Sequence, residues 1–585
     1  MIKEKRFLIT TALEESWVND QPVLFLGEWC RIYSRKDIWS EVDAILLPYH
    51  WAQSEKLHSD YRYLNELYER TLFDLASSLN KIHKVEYSVK YWRVLVGPWI
   101  ANLVHVLYDR WLSIQSALEE FEITGTIVLE VKKDILVAND TAHFLKLIET
   151  DLWNHNIYSE IIKKLNDCKV VTKKSTKRPH LNSLINVNPS IKSKILNIYS
   201  EISKFFSKDE DILFFETYLH KFDDILLQLK FGQLPQFWKK IDPIQIDLDE
   251  DQRNWEMPNC AESDFENFLL QVIPKQIPKV FLEGYQQLIK QANSLPWPKS
   301  PKLMYSANML WHNSVTLVYV AEKVETGTPF VYGQHGGGYG VASFSFAEEH
   351  EVRVADKYLT WGWSDEFDPS TVPIGIGKVP KPNKLQVFNN YERLFLITLN
   401  ASRYSFRLGS ETTRNFPDYF EDYFLFTSSI NNKARNNMLV RLSSWDQGWE
   451  QSLRWADNFP NTKLELGKNK INDLMLKSRL VVHTYNSTGI LESLAMEIPS
   501  ILFYDLKNMP LRESAAPYFE ELKRVGIFHD SPESAAAHVD AIWEDVDSWW
   551  RSPEVKMAVA NFNEQYCFIA DNISNSVEAV LRETL

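Results

Sequence analysis

Short apolar runs closed by polar or turn residues open the chain, at Phe7–Thr10, Val23–Leu26 and Ala44–Leu47. Runs of this kind suit strands buried on both faces of a parallel sheet. The pattern then lengthens: Tyr61–His83 and Trp99–Phe121 carry apolar residues at three- and four-residue intervals, the period of a helix with one buried face. From about 140 to 295 the pattern reads as mostly helical, broken by a lysine-rich patch at Lys173–Arg178 and an acidic loop at Asp247–Arg253. Strand-like runs return at Lys302–Ser306 and Phe330–Gly333, with a helical stretch at Ser314–Glu325 between them.

Val372–Lys384 combines Pro, Gly and Lys without periodicity and is the expected interdomain linker. Beyond it, strand signals at Leu394–Leu399, Met438–Leu442, Lys463–Leu466, Arg479–His483, Ser500–Tyr504 and Ile527–Phe528 alternate with helical segments. Such alternation implies a parallel sheet covered on both faces, with ligands at the carboxyl ends of its strands. A chain of 585 residues exceeds one ordinary core. The expected architecture is therefore α/β, with two Rossmann-like domains. The first spans 1–380, with a helical insertion at about 140–295, and the second spans 381–585. The last helical stretch, about Glu554–Arg582, is placed to pack back across the first domain.

A formal charge of −14 argues against a general nucleic-acid binder, because neutralising phosphates needs a basic surface. The four cysteines, Cys30, Cys168, Cys260 and Cys567, are scattered without paired spacing and read as thiols of a reducing compartment. The N-terminus runs from charge directly into a strand-like segment, and no stretch approaches the roughly 20 apolar residues that span a bilayer. A cytoplasmic protein is expected, a location compatible with peripheral association at the inner membrane.

Three loops at strand ends carry candidate chemistry. In Arg479–Asp505, Ser487 is placed to cap a helix, and the open N–H groups of the next turn form a natural phosphate site. Here His483, Asn486, Ser487, Thr488 and Gly489 are candidate donor-binding residues. Gly489 would let a ligand approach closely, and Glu492, one turn beyond Thr488, would accept from ribose hydroxyls. After Leu394–Leu399, the loop Asn400, Ala401, Ser402, Arg403 offers short polar groups and one cation suited to phosphate or carboxylate. After Phe330–Gly333, the glycine-rich loop Gln334, His335, Gly336, Gly337, Gly338 brings backbone close to a ligand and adds a group that titrates near neutrality. His335 is the leading candidate for catalysis. Glu28 and His50, near the first strand ends, are the alternatives from the first domain. The glycine loop is neither a P-loop nor a dinucleotide fingerprint. No Asp-x-Asp sits in a suitable loop, so a metal is not expected.

Leu26–Cys30, Leu47–Trp51, Tyr91–Arg93 with Gly97–Trp99, Gln334–Gly340 and His483–Ala495 together resemble a family of bacterial sugar transferases. The family is similar to the capsule Kdo transferases and is found with pathways for nonulosonic (pseudaminic or legionaminic) acids. The resemblance runs from about residue 7 to about 530, apart from the helical middle. It implies a GT-B-like fold and a CMP-activated ulosonic acid as donor substrate, with no separate cofactor. It also implies transfer to a surface glycan or a glycoprotein such as flagellin. On that reading the second domain holds the donor, and His335 or Glu28 faces the reacting carbon. A CMP-Kdo-dependent capsule or lipopolysaccharide transferase is the nearest alternative. A nucleotide-sugar epimerase or hydrolase and a non-catalytic glycan-assembly protein are the alternatives of other classes.

Overall fold

The computed structural model describes residues 3–585 except 53, 166–167, 180–205, 239–240, 259–260, 312, 366–367, 378, 380–390 and 406–415. Its described strands form three parallel sheets in succession along the chain.

The first sheet contains β1 (Glu4–Ile9), β2 (Val23–Phe25), β3 (Ala44–Leu46), β4 (Phe121–Glu130) and β5 (Val170–Lys174), in the order β3-β2-β1-β4-β5. The second contains β6 (Leu213–Phe215), β7 (Met304–Ser306), β8 (Phe330–Gly333), β9 (Lys357–Thr360) and β10 (Thr371–Pro373), side by side in sequence order. The third contains β11 (Leu394–Ile397), β12 (Met438–Arg441), β13 (Lys463–Glu465), β14 (Leu480–His483), β15 (Ser500–Phe503) and β16 (Phe528–His529), in the order β13-β12-β11-β14-β15-β16. The first and third sheets thus reverse direction beside β1 and β11, the switch points at which open α/β sheets leave a crevice.

The fold is the expected α/β class with Rossmann-like sheets, but its N-terminal part differs in detail. The stretch from 140 to 295 is not helical throughout: it supplies β5, which completes the first sheet, and β6, which edges the second. The linker expected at Val372–Lys384 begins as the edge strand β10, and its positions 378 and 380–384 lie outside the described residues.

Two long helices tie the first two sheets together. These are α1 (Ser54–His83) and α2 (Val89–Glu120); α2 packs on both α1 and α3 (Ser314–Glu325) and is buried almost all round. Gly97 in α2 lets this packing close, since a Cβ there would stand 3.0 Å from both the His350 ring and the Tyr68 hydroxyl. At the other end of the chain, α4 (Ile573–Thr584) leaves the third unit and returns to the second. Its Val577, Val580 and Leu581 join Leu227, Phe214 and Tyr305 in a core of their own on the second sheet. Lys230 and Glu578 close the edge of that contact at 2.7 Å. The second and third units are therefore bound by the chain terminus as well as by their facing loops.

Candidate functional site

The strand-end loops of the second and third sheets meet directly. β8 runs into the glycine loop, and β14 runs into α5 (Thr488–Ala495), whose N-cap is Ser487. The Gly337 N–H donates to the Thr488 hydroxyl at 2.8 Å. A Cβ on Gly337 would lie 2.3 Å from the Thr488 nitrogen and 2.4 Å from the Ser487 carbonyl carbon. Only glycine fits so close an approach of backbone to backbone. Ser487 caps the helix as expected, accepting from the Gly489 N–H at 3.2 Å.

Gln334 fixes the glycine loop from beneath. It is buried; its side chain donates to the Gly336 carbonyl at 2.9 Å and accepts from the Trp361 N–H at 3.0 Å and the Trp363 indole at 2.9 Å. Gly338 takes φ +89° and Gly340 φ +72°, conformations open to glycine at little cost. Just past the loop, Ser343 N–H donates to the Pro510 carbonyl and Arg512 N–H to the Val341 carbonyl, at 3.0 and 2.8 Å. The half-buried Arg512 guanidinium reaches the buried Glu348 at 2.5 Å, so a charge pair also stitches the two units.

His335 stands at this junction, 21% exposed, with its Nδ1 3.7 Å from Glu351 Oε1. Glu351, on α6 (Phe346–Val354), is fully buried and accepts from the Trp311 indole, the Tyr358 hydroxyl and the Tyr339 hydroxyl at 2.5, 2.9 and 3.2 Å. Burial pushes its carboxyl up to about 8, against the pull of those three donors. The Tyr339 and Tyr218 rings flank the imidazole, with centroids 5.6 and 6.3 Å away. Tyr218, just beyond β6, holds a left-handed φ of +59° and stacks on Trp361. Burial raises its phenol, and the negative charge of Glu492 raises it further, so Glu492 faces the same cluster. Backbone strain of this kind is commonly kept at functional sites. Tyr218, Trp361 and Glu351 have no motif around them in the sequence; only the fold brings them to His335.

The remaining candidates lie elsewhere or are already engaged. His483 is fully buried, hydrogen-bonded to the Ser493 hydroxyl at 2.9 Å, and burial pushes its imidazole down to about 3, which keeps it neutral. It braces α5 from inside the unit. Gly489 packs against that ring, where a Cβ would stand 3.2 Å from His483 Cε1, so the glycine serves packing and not ligand approach. Asn486 is buried too, and its side-chain oxygen has no hydrogen-bond partner among the described residues.

The loop after β11 turns toward the first unit. Asn400 donates to the Trp445 carbonyl at 2.9 Å, and the Ser402 hydroxyl accepts from the Tyr404 N–H at 3.3 Å. Arg403 is 8% exposed; it donates to the Trp29 carbonyl at 3.1 Å and forms an ion pair with Asp151 of the first unit. The Tyr404 hydroxyl donates to the same carboxylate at 2.6 Å. An arginine expected to hold a donor is thus occupied in an interface. Glu28 is paired with Arg31. His50 is buried against Asp109, 3.2 Å from its carboxylate, in a network with Tyr49 and Arg110. Of the catalytic candidates, His335 alone stands where the glycine loop meets α5.

Among solved structures, the wall teichoic acid polymerase TagF, in a structure with CDPG, is 11% identical. The match covers 66% of this chain and 91% of TagF at a TM-score of 0.33. HepE of Anabaena, in complex with UDP-glucose, is 12% identical, with 56% and 90% covered and a TM-score of 0.32. MurG of Acinetobacter baumannii is 9% identical, with 72% and 93% covered and a TM-score of 0.31. No curated protein matches the chain. The model of the LIC12162 family transferases matches residues 6–581, nearly the whole chain, and the protein belongs to that family.

Proposed function

We propose that this transferase is a GT-B-type glycosyltransferase that moves a nonulosonic acid, of pseudaminic or legionaminic type, from its CMP-activated form to a surface glycan or flagellin acceptor. The observation that carries the reading is the Gly337–Thr488 contact. It sets a histidine-bearing glycine loop of one unit against the N-terminus of a capped helix in the next.

On this reading the donor phosphate lies at the first turn of α5, where the helix dipole favours an anion. Thr488 and Asn486 add side-chain contacts there, and Glu492 accepts from the ribose. The acceptor hydroxyl attacks the anomeric carbon. The new C–O bond forms as the bond to the CMP phosphate breaks, and the phosphate departs with the electron pair. His335 takes the hydroxyl proton as general base, with the buried Glu351 carboxyl 3.7 Å from its Nδ1. The close junction excludes water, which would otherwise hydrolyse the donor.

The test is to incubate the protein with CMP-pseudaminic acid, CMP-legionaminic acid and CMP-Kdo, with and without acceptor glycan, and follow CMP release and glycan mass. Acceptor-dependent release with one of the first two donors is expected. Release that ignores the acceptor points to a hydrolase, and turnover of CMP-Kdo alone reassigns the sugar.

A further inference from the structure

Away from the His335 junction, a cavity of about 320 Å³ lies between the first and third units. It opens near the switch-point ends of both sheets: Leu13, just beyond β1, lines one side, and Arg403, in the loop after β11, lines the other. The N-terminus of α7 (Asp151–Leu165) forms part of its wall, through Asp151 and Leu152.

Its charges are not balanced from within. Arg403 and Asp151 neutralise each other. Lys177 leans toward Glu15 at 3.6 Å, in an exposed pair that holds it weakly. Lys146 and Arg178 have no ion-pair or hydrogen-bond partner among the described residues, and both line the cavity. Glu149 lines it as well; burial pushes its carboxyl up to about 7, with Lys146 pulling the other way. The charged groups facing Glu149 are Lys146 on its own segment, Lys177 and Arg178 beyond β5, and the Arg403–Asp151 pair. Trp445 adds an aromatic wall suited to the organic part of a ligand.

The geometry points to a second binding site here, for a small phosphate-type dianion (a sugar phosphomonoester or free phosphate) held by Lys146, Lys177 and Arg178. Lys146, Arg178 and the weakly held Lys177, with a helix N-terminus, exceed what Glu149 alone needs and match the oxygens of a phosphate. The cavity is of monosaccharide size, at the lower end of ligand pockets. This inference does not rest on the reading of the His335 junction, because no residue is shared between the two sites.

Calorimetric titration of the whole protein with sulfate tests it, since sulfate stays a dianion across neutral pH. Inorganic phosphate and glucose 1-phosphate form the parallel arms. The Lys146→Ala/Arg178→Ala double variant should bind sulfate roughly tenfold more weakly or worse. Circular dichroism and melting temperature should stay unchanged, because neither side chain has an ion-pair or hydrogen-bond partner among the described residues. Sulfate affinity should fall as pH rises through about 7, where Glu149 gains its charge, and Glu149→Gln should flatten that dependence. Tighter binding of glucose 1-phosphate than of phosphate identifies an ester as the ligand, and equal binding identifies free phosphate. No saturable binding of any of the three overturns the site, as does equal binding by the double variant. Loss of sulfate binding in Thr488→Val, with the double variant unaffected, also overturns it and returns the anion to α5.

Discussion

The junction at Gly337 and the junction at Arg403 join the third unit to the rest of the molecule by opposite means. At Gly337 two backbones meet with no side chain between them, beside a helix start, and a titratable histidine stands at the edge. At Arg403 a buried cation is consumed by Asp151 and by the Trp29 carbonyl, and the tyrosine next to it donates to the same carboxylate. Both loops follow strand ends, Gly337 after β8 of the second sheet and Arg403 after β11 of the third, and both look phosphate-friendly when read as strings of small and charged residues. What separates them is how much hydrogen-bonding capacity remains after packing. A saturated arginine is a fastener, whereas the Thr488 hydroxyl, which accepts from the Gly337 N–H, keeps its own proton to donate.

The largest effect is expected at His335. His335→Ala should cut turnover by about 10²–10⁴-fold, and His335→Asn by a similar amount, because an amide does not titrate. CMP affinity should barely change in either. Steady-state kinetics with a parallel CMP titration checks this, and near-normal activity in both variants makes the histidine structural.

The other junction should answer in stability instead. Arg403→Ala strands Asp151 in the interface and should cost about 3–5 kcal/mol, the range for breaking a buried pair from one side. Denaturant unfolding measures the loss, and CMP affinity of the folded protein should be unchanged. A variant that keeps its stability and loses CMP returns Arg403 to the donor site.

Thr488→Val should weaken CMP binding by about 1–3 kcal/mol, the cost of a lost charge-assisted hydrogen bond. It also removes the acceptor of the Gly337 N–H. Gln334→Glu would disturb the same loop without touching the helix, so a loss seen only in Thr488→Val assigns the effect to the anion.

A further effect concerns pH. Glu351 has its folded carboxyl raised from 4.5 to about 8, so the folded protein keeps a proton that the unfolded chain releases. Its contribution to stability is complete below about 4.5 and is lost as pH rises through about 8. Glu351→Gln should flatten the decline of melting temperature across that window and shift the pH profile of turnover. A decline as steep as that of the unaltered protein contradicts the assignment.

Much of this was legible before folding. The strands β8, β11 and β14, the helix cap at Ser487 and the glycine loop follow from local pattern, because each is fixed by its own residues. β4 was hidden because Phe121–Glu130 follows α2 without a break, and its apolar residues prolong the helical run. β6, at Leu213–Phe215, lies inside a stretch whose pattern otherwise reads as mostly helical. The engagement of the other site candidates was hidden for a different reason. Arg403 reads as an open cation until Asp151, 252 residues away, is brought beside it. His483 reads as part of a loop until α5 closes over it. Glu351 sits in a plain helix, and its meaning lies in three aromatic donors that converge on it from separate segments.

The central claim is that the donor's phosphate sits at the first turn of α5, facing His335. A crystal structure of the protein soaked with CMP tests it most directly. The account predicts the phosphate within hydrogen-bonding distance of Thr488 and the N–H groups after Ser487, with the ribose toward Glu492. CMP bound in the cavity beside Arg403, with the turn at Thr488 empty, would contradict it.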